Sequence, residues 1–286
     1  MIEYRKILLS NGLTIIAHED HSTPVAAFNI MYDVGARDEH PDHTGFAHLF
    51  EHLMFGGSVN IPDFDKPLQE RGGVSNAFTN NDITNYYITI PAKNVETAFW
   101  LDSDRMVSLA FSDKSLEVQR QVVTEEFRQR YLNQPYGDVW LLLRPLVYKV
   151  HPYQWPTIGK KIEHITTATM QQVRDFFFKH YTPSNAILCV AGPFSTDFIF
   201  AMAEKWFGGI ETRKKYERNI PQEPVQTQAR IMEVERDVPS DMVYKVWNMP
   251  ARNQKEFYSC DLISDVLSRG KSSRLYRELV QGKKVF

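Results

Sequence analysis

The sequence predicts an α+β fold, a mixed and largely antiparallel sheet covered by helices, and three observations carry that prediction. A strand, a turn and a strand open the chain. Apolar stripes of helical period then alternate with short β-rich runs, and the opening pattern returns near residue 241.

Asn11-Gly12 supplies the first turn, between an opening strand and the Ile-rich run Leu13 to His18, and Val25 to Val34 is the next mostly apolar run. A short helix with sharp limits follows. Thr44 is its expected cap, Phe46, Leu49, Phe50, Leu53 and Met54 recur at helical spacing, and Gly56-Gly57 ends it. Helices are expected near Asp63 to Arg71, Val95 to Leu109, Asp113 to Tyr131, Tyr136 to Tyr148, Thr169 to His180 and Thr196 to Trp206. Strands are expected at Ile83 to Ile90 and Ala186 to Ala191.

At 286 residues with 43% hydrophobic content, the chain exceeds one ordinary domain and has enough apolar side chain for normal cores. Its formal charge of -2 offers no excess basicity to follow a phosphate backbone or an anionic bilayer, so neither nucleic acid nor membrane is an expected partner. Cys189 and Cys260 stand far apart beside apolar neighbours, which suits buried thiols rather than a disulfide or a cysteine metal site. No apolar run has the length of a membrane helix, and the opening residues have no leader-like pattern. The expected location is cytoplasmic, or periplasmic if a presequence was removed.

Between Gly208 and Gln228 the chain turns polar and charged, with Pro221 and Pro224, which reads as a linker. Beyond it, Asp241 to Arg252 aligns with Val25 to Arg37, and Gly270 answers Gly57 after a helix in each copy. The expected organisation is a complete domain over 1–215, a linker over 216–228, and the beginning of a degenerate second copy over 229–286. In that copy Asp261, Ser264 and Asp265 fall where the first has His48, Glu51 and His52, so the imidazoles are missing there.

His48 and His52 lie one helical turn apart, opposite the apolar stripe, so both imidazoles can reach one zinc ion. Glu51, just before the second histidine, is poorly aimed to join them as a ligand and well placed to hold a water as general base. A catalytic zinc needs a third protein donor, for which the other histidines and many carboxylates compete on spacing alone. Helix geometry favours Glu126. It flanks the Leu116, Val123, Phe127, Tyr131 stripe of its helix, whereas Glu125 points to solvent. Gln119, two turns earlier on the same edge, should sit beside that ligand. By itself SNAFTNND reads as a turn entering the next strand, and His151 in the aromatic loop YKVHPYQWPTIG reads as packing locally.

HLFEHLMFGGS, RGGVSNAFTNNDITNYY and QRQVVTEEF together resemble the pitrilysin/insulinase family of inverted-zincin peptidases, which includes the mitochondrial processing peptidases, across residues 1 to about 210. The resemblance implies a pitrilysin-type domain with zinc on His48, His52 and Glu126 and with Glu51 as base. It also implies an exposed sheet edge bearing Asn76, Ala77 and Phe78, onto which a peptide adds as a strand. The family often carries a glutamate where this chain has Gln119. The family further implies a catalytic domain paired with a degenerate one around the peptide, and a homodimer or a heterodimer with a related subunit as the association.

The expected function is therefore zinc-dependent endopeptidase cleavage of extended or unfolded peptides by activated water. The alternative is a non-catalytic scaffold or partner subunit of such a peptidase.

Overall fold

In the computed structural model, which describes residues 2–213 and 215–285, the chain divides into two compact units, Met1–Val238 and Pro239–Phe286. The first contains a six-stranded sheet ordered β1-β2-β6-β3-β5-β4. The strands are β1 (Arg5–Leu8), β2 (Thr14–Glu19), β3 (Val25–Tyr32), β4 (Val74–Thr79), β5 (Thr84–Pro91) and β6 (Ala186–Gly192). Only the β2–β6 pair is parallel; all other neighbours are antiparallel, so the mixed, largely antiparallel sheet is as expected. The helices of this unit are α1 (Phe46–Leu53), α2 (Asp65–Glu70), α3 (Val95–Val107), α4 (Asp113–Phe127), α5 (Val139–Val147), α6 (Glu163–Thr166), α7 (Met170–His180) and α8 (Thr196–Phe207).

Burial alternates along β3, with Ala26, Phe28, Ile30 and Tyr32 inside and Ala27 exposed on the other face. That period of two places the helices on one side of the sheet. Phe28 meets Phe99 of α3 edge-on at 5.0 Å, and Phe50 of α1 stacks on Phe176 of α7 at 5.2 Å. Beneath β5, Arg105 is buried with Asp102 as its ion-pair partner and lies 4.5 Å from the ring centres of both Phe64 and Tyr86. The pairing and the ring contacts offset the cost of burying that charge.

Three local expectations give way. Thr44 does not cap α1. The N-cap is Gly45, at φ 93, because the Thr44 hydroxyl accepts from Lys160 N at 2.8 Å and contacts His164. Glycine is required there, since a Cβ would come within 2.6 Å of the Ile158 carbonyl oxygen. The capping is done from a distance: the buried Glu39 carboxylate accepts from Gly45 N at 2.8 Å and Ala47 N at 2.9 Å. SNAFTNND is not simply a turn, because Ser75 to Thr79 belong to β4, which pairs with β5 in register Asn76↔Tyr87. The two cysteines are free, as expected, yet half-buried rather than buried.

Residues 216–228 have no regular secondary structure but are anchored to the rest of the first unit. Arg218 donates to both Asp33 and Asp38, and Glu223 accepts from the backbone N–H groups of Lys149, Val150 and His151 at 2.7 to 2.9 Å. In the second unit α9 (Lys255–Ser268) forms, and Gly270 after it has φ 78 as Gly57 has φ 98. The strand expected over 241–252 is absent among the described residues. A strand needs a neighbour for its backbone groups, and among the described residues of this unit no strand supplies one.

Glu39 gives the fold its test. Removing its carboxylate by Glu39→Ala leaves two buried helix N–H groups unpaired and should cost about 2 to 4 kcal/mol in urea unfolding. Burial pushes the Glu39 carboxyl up to about 8, against the pull of its two N–H donors. The folded state therefore holds the proton more tightly than the unfolded chain. Its contribution to stability is present in acid and lost as pH rises from the ordinary carboxylate range through about 8, and Glu39→Gln should remove that part of the pH dependence.

Candidate metal centre

Two helices build the site. The apolar residues of α1 are buried, and so is His48, while Glu51 and His52 are half-buried at the open side of the helix. On α4, Ser112 caps the N-terminus by accepting from Ser115 N at 3.1 Å, and Leu116, Val123 and Phe127 turn inward. Because α1 packs against α4, Glu126 on the flank of the buried stripe faces the two imidazoles.

Glu126 Oε2 lies 3.5 Å from His48 Nε2 and 3.4 Å from His52 Nε2. Two zinc bonds of about 2.0 to 2.1 Å at a tetrahedral angle hold their donor atoms about 3.4 Å apart. The observed gaps match that spacing and exceed a charge-assisted hydrogen bond, which closes to roughly 2.7 to 2.9 Å. The three donor atoms all lie within 4.8 Å of one another, and among the described residues this is the one such cluster of His, Cys, Asp or Glu. Two imidazole nitrogens and one carboxylate suit zinc with a position left open.

Electrostatics agree with that donor set. Burial holds His48 well below the ordinary imidazole range, so the ring is neutral near pH 7 and offers a lone pair. Glu126 is held below the ordinary carboxylate range, chiefly by the facing His52 side chain and then by the charges of His48 and Arg130, against its own burial. His48 Nδ1 is buried without a hydrogen-bond partner among the described residues, so packing rather than a bond to that nitrogen orients the ring. The Glu51 carboxylate makes no hydrogen bond or ion pair among the described residues. It is a free acceptor beside the cluster.

The other expected residues fall in different places. Gln119 is half-buried on α4, two turns before Glu126, and makes no hydrogen bond among the described residues. Asn76, Ala77 and Phe78 lie on β4, an edge strand with β5 on one side only, and β4 packs against α1. The Ala77 N–H donates to the Asn76 side-chain oxygen at 2.8 Å. His151 accepts from Tyr153 N and packs on Tyr148 and Tyr153, as the local reading expects.

Glu39, which fixes the start of α1, was not singled out from the sequence, because a carboxylate six residues before the N-cap matches no local capping pattern. Arg130 pairs with Glu126 Oε1 at 3.0 Å and was also passed over, although four residues is the spacing at which helical side chains meet.

Comparison with known proteins bears on this geometry. The model of the insulinase family (peptidase family M16) matches residues 14–141, which contain His48, Glu51, His52 and Glu126, and the peptidase M16 inactive domain matches 167–285. The zinc protease PqqE of Helicobacter pylori is 33% identical, over 99% of this chain and 65% of its own length. The uncharacterised zinc protease YmxG of Bacillus subtilis is 27% identical, over 74% of this chain and 51% of its own. The chain thus spans about half to two-thirds of the curated relatives it matches. Among solved structures, a protease from Helicobacter pylori superposes with a TM-score of 0.87 at 32% identity, covering 99% of this chain and 70% of that one. The first half of the periplasmic protease PqqL from Escherichia coli shares the fold, with a TM-score of 0.69 at 22% identity over 78% of this chain and 49% of that one. On these matches, the chain belongs to the pitrilysin/insulinase family of peptidases, family M16.

Proposed function

We propose that this chain carries the catalytic centre of a zinc-dependent endopeptidase that cleaves extended peptides. The observation that carries the reading is the approach of Glu126 Oε2 to both histidine nitrogens, at 3.4 and 3.5 Å. Relatives bearing the name zinc protease support the choice of metal.

His48 and His52 each offer Nε2, and Glu126 offers Oε2. A zinc ion held there supplies Lewis acidity, which lowers the pKa of water and polarises a peptide carbonyl. Glu51 accepts the proton of the attacking water and delivers it to the departing amine nitrogen. Its carboxylate has no partner to break first among the described residues, which favours that role.

The unpaired side of β4 is the proposed peptide-binding edge. An extended peptide gains main-chain hydrogen bonds there, with Ala77 N–H exchanging its Asn76 oxygen for a peptide carbonyl. Phe78, partly exposed on the same strand, adds apolar contact. Since the backbone supplies most of the affinity, the substrate must lack secondary structure along the bound stretch. A non-catalytic scaffold is the second reading, favoured by the inactive-domain match over 167–285. That region contains none of His48, Glu51, His52 or Glu126.

Elemental analysis of the purified protein should find about one zinc per chain, and His48→Ala or His52→Ala should reduce it to background. Glu51→Gln should keep the zinc while hydrolysis of a fluorogenic unstructured peptide falls by about 100-fold or more. Full metal loading with no hydrolysis in the unaltered protein would favour the scaffold reading.

A further inference from the structure

The Glu126 carboxylate is engaged from two sides. Oε2 faces the two histidine nitrogens, while Oε1 accepts from Arg130 Nη1 at 3.0 Å. Arg130 lies just past α4, where the chain continues as a π-helical turn over Arg128–Leu132. The other nearby cation is occupied, because Arg128 pairs with Glu125. Arg130 is therefore the guanidinium that touches Glu126. Its own side chain is 68% exposed against 19% for Glu126, so it reaches in from solvent and supports little of the core.

We infer that Arg130 is a positioning residue: by holding Oε1, it presents Oε2 as the single Glu126 donor to the metal. The inference rests on the zinc reading above. A glutamate free to rotate can offer both oxygens to an ion or swing outward. The first arrangement fills the position that a catalytic zinc keeps open for water, and the second loses a ligand. A guanidinium on one oxygen opposes both, since a charge-assisted bond is directional as well as attractive. Groups that hydrogen-bond a metal ligand typically alter affinity by about 10- to 100-fold, and the exposure of Arg130 places its effect at the lower end.

The test compares the unaltered protein with Arg130→Ala and Arg130→Lys. Zinc release to an excess chelator is timed, and the visible spectrum of the cobalt(II)-loaded forms is recorded. Arg130→Ala should release zinc about 10-fold faster. Its cobalt bands should change as Glu126 leaves its single-oxygen arrangement, and Arg130→Lys, a point charge without the fork, should restore part of both signals. A release rate and spectrum unchanged in Arg130→Ala would overturn the inference. So would slower release, which would mark Arg130 as a competitor for Glu126. Failure of the underlying reading looks different: the unaltered protein would take up no zinc, or His48→Ala would keep it.

Discussion

The seam between α1 and α4 governs whether three donor atoms can share one ion. Neither helix makes a site alone: α1 brings His48 and His52 one turn apart, and the carboxylate comes from a helix more than 60 residues further along the chain. Burial of Leu49, Phe50 and Leu53 on one helix and Leu116, Val123 and Phe127 on the other sets their separation. Interiors pack closely enough that a shift of one helix by an ångström is not absorbed locally. A spacing of 3.4 to 3.5 Å between Glu126 Oε2 and two nitrogens is thus a product of core packing delivered at the surface of the cluster.

Polar groups then trim what packing has placed. Glu39 fixes the first turn of α1 and Arg130 holds the free oxygen of Glu126, so each helix has a polar partner beyond its own apolar face. The edge strand β4 lies against α1 as well, so an extended backbone added to it would run beside the metal-binding helix. One helix therefore links the proposed chemistry to the proposed binding edge.

Much of this was legible in the sequence where the signal is local. The 3.6-residue period of Phe46, Leu49, Phe50 and Leu53 marked α1, and the same geometry put His48 and His52 on its other side. In α4 the flank position of Glu126 distinguished it from Glu125, and the resemblance reached the same residue independently. What failed depended on contacts distant in sequence. Thr44 looked like a cap because its competing partners, Lys160 and His164, lie more than 100 residues away. SNAFTNND by itself looked like a turn because its polar side chains suit one, whereas the resemblance put Asn76 to Phe78 on a sheet edge, and pairing with β5 makes it that edge strand. The segment 241–252 looked like a strand because it aligns with Val25 to Arg37, yet a matching pattern cannot provide the neighbour that a strand requires.

Anomalous diffraction at the zinc absorption edge, from crystals grown with zinc, tests the central claim most directly. One strong peak should appear within about 2.0 to 2.2 Å of His48 Nε2, His52 Nε2 and a single oxygen of Glu126. A peak bound elsewhere, or one that leaves Glu126 out of the coordination sphere, would contradict the account.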